Sequence, residues 1–317
     1  MELRQFYRSI RPIALIVCLF YLVSITVCAQ IIREPAYAGR YYPGDVDSLR
    51  ILISNYIQSQ ERLSDVNHIK VLIVPHYPPG WNLTASGFKQ IEGTNPETIV
   101  LISNYHSGAA GDRSFDGIAI DSSDYWRTPI SDIPLNRNLA NYLVDSDEKI
   151  IYKPSIFRED WTIELLLPFL QTVVNDNYKI LPILFGNNLL IGGEINDNYK
   201  ILSNILSQHL KPSDIVIISN DMAHNFKGNY NCEESDRKLL SIIESGNCNA
   251  LIEFQNHYLN LEEMHGNVIS CGIDGIKTGL DYFKETGGGQ IRAIDYGHSD
   301  IDGYFVGYAS IIMFQSK

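Results

Sequence analysis

"KVLIVPHYPPGW", residues 70–81, carries four apolar residues, Val71 to Val74, without alternation and then breaks at Pro75-His76. Strands covered on both faces of a parallel sheet have this pattern, because neither face meets water. Similar runs recur in "ETIVLISNYH" (97–106), "YKILPILFG" (178–186), "DIVIISND" (214–221) and "FVGYASIIMF" (305–314). Between them "DSLRILISNYIQSQ", "TIELLLPFLQTVV" and "NYKILSNILSQHL" keep a helical period. This alternation predicts βαβ units, hence an α/β fold: a single domain over residues 30–317 with a largely parallel central sheet flanked by helices. "NDNYKIL" occurs at 175–181 and 196–202, but the two copies lead into different patterns and there is no third, so the chain is not a solenoid.

The 317 residues are 45% hydrophobic, enough for a substantial core. The first 29 differ from the rest. Arg4, Arg8 and Arg11 precede the uncharged run "PIALIVCLFYLVSITV", and Val27 and Ala29 occupy the small-residue positions of a cleavage site before Gln30. Residues 1–29 therefore predict a signal peptide and a periplasmic or extracellular protein. An uncleaved anchor is the main rival, since the uncharged run to Ile32 approaches the length of a membrane span. Lipidation at Cys28 is disfavoured by the bulk of Val27. Removing this segment takes away three Arg and Glu2, leaving 22 basic against 36 acidic side chains, a net charge near −14. That charge excludes nucleic-acid backbones as partners. Cys232, Cys248 and Cys271 remain, which permits a Cys232–Cys248 disulfide but no disulfide framework. Glycosylation of Asn82 in "NLT" depends on the host.

The strand ends are rich in groups that can bind a metal. His76 follows the first strand, "VLISNYH" ends in His106, and "IISNDMAH" carries Asp221 and His224. Each has an ordinary reading: His76 or His106 as a loop residue wetted by solvent, Asp221 as a helix N-cap, His224 in a solvated turn. Together they favour a metal site, because ligands gather at the carboxyl ends of α/β strands. A transition metal needs several lone pairs within about 2 to 2.3 Å of one point.

"REPAYAGRYYPGD", "VPH", "YWRTPISD", "TIELLLPFLQ", "ISNDMAH", "ISCGIDGI" and "VGYAS" resemble, in that order, the landmarks of the MEMO family, whose prokaryotic members are called AmmeMemoRadiSam system protein B. The resemblance covers nearly all of the chain after residue 29. It implies a fold similar to class III extradiol dioxygenases and LigB-type subunits, and a metal site of two histidines and a cysteine for iron or copper. Carried over residue by residue, the metal ligands are His76, His106 and Cys271, with Asp221 and His224 as the catalytic pair. Without the resemblance, Cys271 reads as a small buried residue at a helix start. With it, the thiol becomes a ligand that a cation and a helix N-terminus would hold as thiolate.

Departures from the family cluster at the same place. The family's "PHAGY" is "PHYPPGW" here, the second histidine of its "GPSHH" is Ser107, and its "EHSIE" is "DWTIE". Trp161 thus stands where the family lines its pocket with a histidine, and indole neither ligates a metal nor shuttles a proton at neutral pH. Two classes of function follow. One is a metal-dependent redox enzyme acting on a small molecule; the other is a metal- or peptide-binding module without turnover, with membrane contact only through an uncleaved or lipidated N-terminus.

Overall fold

The computed structural model describes residues 30–106, 115–175, 177–186, 197–225, 231–259 and 268–315, which places the expected signal segment, residues 1–29, and Ser107 outside the described residues. From Ile32 onward the chain packs as one unit. Its strands are β1 (Ile32–Arg33), β2 (Asn67–Val74), β3 (Thr98–Asn104), β4 (Ile118–Ile120), β5 (Tyr125–Arg127), β6 (Asp132–Pro134), β7 (Ile150–Tyr152), β8 (Lys179–Phe185), β9 (Ile215–Ser219), β10 (His224–Asn225), β11 (Gln290–Ile301) and β12 (Tyr304–Gln315). The helices are α1 (Val46–Gln58), α2 (Trp81–Lys89), α3 (Arg137–Ser146), α4 (Pro154–Phe157), α5 (Leu167–Val173), α6 (Asn198–His209), α7 (Cys232–Glu244), α8 (Cys248–Leu259) and α9 (Ile273–Glu285).

The main sheet runs β10-β12-β2-β9-β3-β8-β4-β7, with β11 paired to β12. The expected parallel arrangement holds for its centre, β2-β9-β3-β8. Both flanks depart from it: β4 runs antiparallel to β8, and β12 runs antiparallel to β2, β10 and β11. The β11–β12 hairpin closes on Asp302-Gly303, both with positive φ (55° and 78°). That is the two-residue turn whose twist matches antiparallel strands, and "DG" is its sequence signal. A small separate sheet joins β1, β5 and β6.

The uninterrupted apolar runs reflect burial on both faces. Leu72, Val74, Leu101 and Ile217 join the core under α1, α2 and α5. Their neighbours Val71, Ile73, Val100, Ile102, Val216 and Ile218 join the opposite core under α6 and α9. Each such side chain contributes about 1.5 to 3 kcal/mol through burial. α9 comes unusually close to the sheet. A Cβ at Gly275 or Gly279 would lie 2.9 or 2.6 Å from the Ile218 side chain, so only glycine permits this approach. The start of α9, and Cys271 just before it, are thereby held at the end of β9.

The segment "DWTIELLLPFLQ" is not one helix. A single 3-10 turn over Glu164–Leu166 precedes α5, in which Pro168 sits in the first turn, where its missing N–H costs nothing. Glu164 is fully buried and ion-paired to buried Arg33. Its carboxylate also accepts from Ala36 N (3.0 Å), Tyr37 N (2.8 Å) and Tyr42 Oη (2.7 Å). Arg33 in turn donates to the carbonyls of Phe157 (3.0 Å) and Asp160 (2.8 Å). This network fastens residues 33–42 across the loop that bears Trp161. Elsewhere, no disulfide joins Cys232 and Cys248. Asn82 lies in the first turn of α2, where its Oδ1 accepts from Gln60 (2.8 Å).

Candidate metal centre

Because β2, β9 and β3 are adjacent and parallel, the residues following them emerge side by side: His76 after β2, Asp221 after β9, His106 after β3. Cys271, just before α9, completes the group. The ligating atoms of His76, His106 and Cys271 lie within 4.8 Å of one another, and so do those of Asp221, His224 and Cys271. Two ligand atoms with bonds of about 2.0 to 2.3 Å to one ion can be no more than about 4.6 Å apart, so either group could close on an ion with a small adjustment of its side chains.

Hydrogen bonds set the state of each imidazole. Ser219 Oγ donates its only proton to Thr162 O (2.7 Å), so at its 3.0 Å contact with His76 Nδ1 it can only accept. His76 therefore carries its proton on Nδ1 and presents a lone pair at Nε2. His106 Nδ1 lies 2.8 Å from the carbonyl of Asn104, an acceptor, which leaves the lone pair of His106 likewise on Nε2. Anchoring the second ring nitrogen in this way is how proteins orient metal-ligating histidines. Burial depresses His76 and His106 to a pKa of about 3, with His76 adding to the effect on His106 while the Asn104 carbonyl opposes it. Both rings are neutral at pH 7, the form that binds metal. The 3.3 Å contact between His76 Nε2 and Asp221 Oδ2 is accordingly not an ion pair. It sets two lone pairs face to face, an arrangement that a bound cation or a carboxyl proton relieves.

Asp221 is no N-cap, since β10 follows it and the next helix is capped by Asn231. Its buried carboxylate accepts from His76 N (3.0 Å), and burial raises its pKa to about 6, against lowering contributions from His224 and the backbone donors. His224 is not a solvated turn residue either. Its backbone bridges Val268 (2.7 and 3.1 Å), its Nε2 is buried without a hydrogen-bond partner, and burial lowers it to about 4. Cys271 Sγ accepts from Asp221 N (3.0 Å), and Cys271 N donates to Asp221 O (3.0 Å). Burial, with Asp221 beside it, pushes the thiol well above its ordinary range. A metal ion reverses that shift, because coordination deprotonates a thiol outright. Two imidazole Nε2 lone pairs, the unpartnered buried Nε2 of His224 and the Cys271 sulfur make a donor set that fits a transition metal.

Several contributors escape a reading of the sequence. Ser219 fixes the tautomer of His76, and Asn220 Oδ1 accepts from Gly272 N (2.7 Å) to hold the Cys271 turn. Both lie in "ISNDMAH", where polar residues at the end of an apolar strand are the only signal. Asp236, fully buried on α7, accepts from Ala223 N (2.9 Å) and Tyr296 Oη (3.1 Å), and burial raises it from 3.8 to about 7. In the unfolded chain this carboxyl loses its proton near pH 4, while in the native chain it keeps it to about 7. Between those values the native state binds more protons, so its contribution weakens as pH rises and is constant above, a change on the order of 4 kcal/mol. Asp236→Asn should therefore melt with a flatter pH dependence than the wild type between about pH 5 and 8. Parallel melting curves would argue against a protonated Asp236.

Trp161 is half-buried against the centre. Its ring centroid lies 5.2 Å from that of His76 and 6.2 Å from that of His106, edge-on to each. Tyr41 stacks on its outer face at 5.4 Å, and Tyr77 meets it edge-on at 5.9 Å. The Trp161 turn is fixed by Asp160, whose carboxylate accepts from Ile163 N (3.0 Å) and Thr162 Oγ1.

Fold and site together define an α/β sheet protein with a His/His/Cys constellation at the carboxyl ends of its parallel strands. Over residues 33–312 the chain matches the family model described as Memo-like protein, and it belongs to that family. MEMO1 family proteins of Methanopyrus kandleri (24% identical over 295 residues, 88% of this chain and 98% of that one) and Aquifex aeolicus (27% over 279 residues, 84% and 92%) are among its relatives. One from Thermoplasma acidophilum is 26% identical over 289 residues, 88% and 98% of the two chains. Among solved structures, an uncharacterised protein of Escherichia coli K12 aligns with a TM-score of 0.48 and 12% identity, over 77% of this chain and 99% of that one.

Proposed function

We propose that the mature protein is an exported, metal-dependent redox protein acting on a small molecule, with iron or copper held by His76 Nε2, His106 Nε2 and Cys271 Sγ. The observation that carries this reading is the pair of tautomer-fixing hydrogen bonds, from His76 to Ser219 and from His106 to Asn104, which leave the Nε2 lone pair of each ring available as a ligand in a group that also holds the Cys271 thiol. A bound iron or copper ion supplies one-electron chemistry and a ligand position for the small molecule. Asp221, titrating near pH 6, holds or releases a proton beside His76 Nε2, and His224 is placed to exchange it through its unpartnered Nε2. Trp161 and Tyr41 screen the centre from water. A fold similar to extradiol dioxygenases is what the family resemblance implies, and the function rests on the site and not on that analogy.

Metal analysis of the purified mature chain, followed by oxygen consumption with and without added reductant, tests this reading. About one iron or copper per chain and an oxygen uptake lost in Asp221→Asn is the expected result. Metal binding without uptake favours the second reading, a binding module, which the indole in place of a family histidine supports. Export has its own check: mass spectrometry of protein from the native host should find a terminus at Gln30, and an intact Met1 terminus on cytoplasmic protein would contradict it.

The Trp161→His variant separates pocket from core. Its expected behaviour is near-wild-type melting with altered metal-linked activity or ligand choice. A stability loss of about 2 to 4 kcal/mol with unchanged metal binding is the result expected of a core residue instead.

A further inference from the structure

We propose that Trp161, Tyr41 and Tyr37 form an electron relay from the metal centre to the protein surface. The inference rests on the centre proposed above and concerns residues with no part in holding the ion. Trp161 touches both ligand imidazoles, Tyr41 stacks on Trp161 at 5.4 Å with an interplanar angle of 22°, and Tyr37 follows Tyr41 at 5.3 Å. No step in this series exceeds ring contact. It begins at a buried histidine and ends at a half-buried phenol, with the exposed Arg40 guanidinium 5.7 and 5.8 Å from the two tyrosine rings.

The framework behind the series is rigid. Buried Glu164 binds Tyr37 N and, through Ala36 N and Tyr42 Oη, the rest of the segment that carries Tyr41, while Asp160 fixes the Trp161 turn. Tyr37 Oη donates to the Glu159 carbonyl (2.8 Å), which gives the phenol proton an acceptor; for Tyr41 and Trp161 packing alone does not call for this composition, because phenylalanine or leucine would fill the same space. Tryptophan and tyrosine are the side chains that give up one electron at accessible potentials. Indole in place of an acid-base imidazole exchanges a proton carrier for an electron carrier.

The step balances with a peroxide as oxidant. Hydrogen peroxide takes one electron from the reduced ion and one from the relay, and with the phenol proton of Tyr37 and one proton from solvent it yields two waters, an ion one unit more oxidised and a tyrosyl radical. Trp161 and Tyr41 each pass the electron inward and are restored. A thiol or other one-electron donor at the surface returns Tyr37 to the phenol. Without the relay, both electrons are drawn from Cys271: its thiolate attacks the peroxide, the O–O bond breaks, and a sulfenic acid and hydroxide result.

The test uses the full mature chain loaded with one equivalent of Fe(II), its iron content measured first. It is mixed without oxygen with one equivalent of hydrogen peroxide, then freeze-quenched for EPR and digested for peptide mass spectrometry of Cys271. The relay predicts a tyrosyl signal with Cys271 still a thiol. Tyr37→Phe and Tyr41→Phe, both isosteric, should lose or displace the signal, and Trp161→Phe should abolish it and raise Cys271 oxidation several-fold. Iron bound with no radical, a radical unchanged in the Tyr37→Phe/Tyr41→Phe double variant as if carried by Tyr77, or Cys271 oxidised equally with and without Trp161 would each overturn the relay while leaving the metal centre intact. A chain that binds no iron overturns both.

Discussion

Glu164→Ala should cost about 3 to 5 kcal/mol of folding stability, because it leaves the buried Arg33 guanidinium without its counter-charge. The carboxylate also satisfies two backbone N–H groups and the hydroxyl of buried Tyr42, which would be left without a partner. The loss should appear as a lower urea midpoint with a similar slope, and it should loosen residues 33–42, which bring Tyr41 onto Trp161. Arg33→Met combined with Glu164→Leu should lose less than Glu164→Ala alone, since apolar side chains of similar volume remove the unpaired charge. A wild-type midpoint in Glu164→Ala would show that this network contributes little.

Removing a ligand should have the largest effect on metal content. Cys271→Ala is expected to bring the metal from about one per chain to almost none under chelator competition, because the soft thiolate is the donor that selects iron or copper over harder cations. Ser219→Ala keeps all three ligands and removes the acceptor at His76 Nδ1 together with the donor to Thr162 O. It should weaken binding by about 10- to 100-fold, as loss of a partner outside the ligand set commonly does. Equal affinity in Ser219→Ala would mean that the tautomer of His76 is fixed by something else.

The central sheet was legible because β2, β3, β8 and β9 are buried on both faces and announce it as unbroken apolar runs. β11 was not, since "QIRAIDYGHSDI" mixes apolar and polar residues on a flank that leaves it half-exposed, and its strongest signal is the following Asp302-Gly303 turn. The antiparallel flanks are a matter of connection and do not show in composition. At the site, His76, His106 and Asp221 stood out through their position at strand ends. Cys271 did not, because nothing in "ISCGIDGI" distinguishes a ligand thiol from a buried one, and only the family resemblance singled it out. Ser219 and Asn220 act through hydrogen bonds across more than 50 residues of chain, contacts that the folded arrangement creates.

The most direct measurement of the central claim is X-ray absorption at the metal edge of residues 30–317 loaded with one equivalent of zinc, a redox-silent probe of the same ligands. The account predicts one sulfur at about 2.3 Å and imidazole nitrogens at about 2.0 to 2.1 Å, with the sulfur shell lost in Cys271→Ser. A first shell of nitrogen and oxygen alone in the wild type would place the ion away from Cys271 and contradict the assignment of this centre.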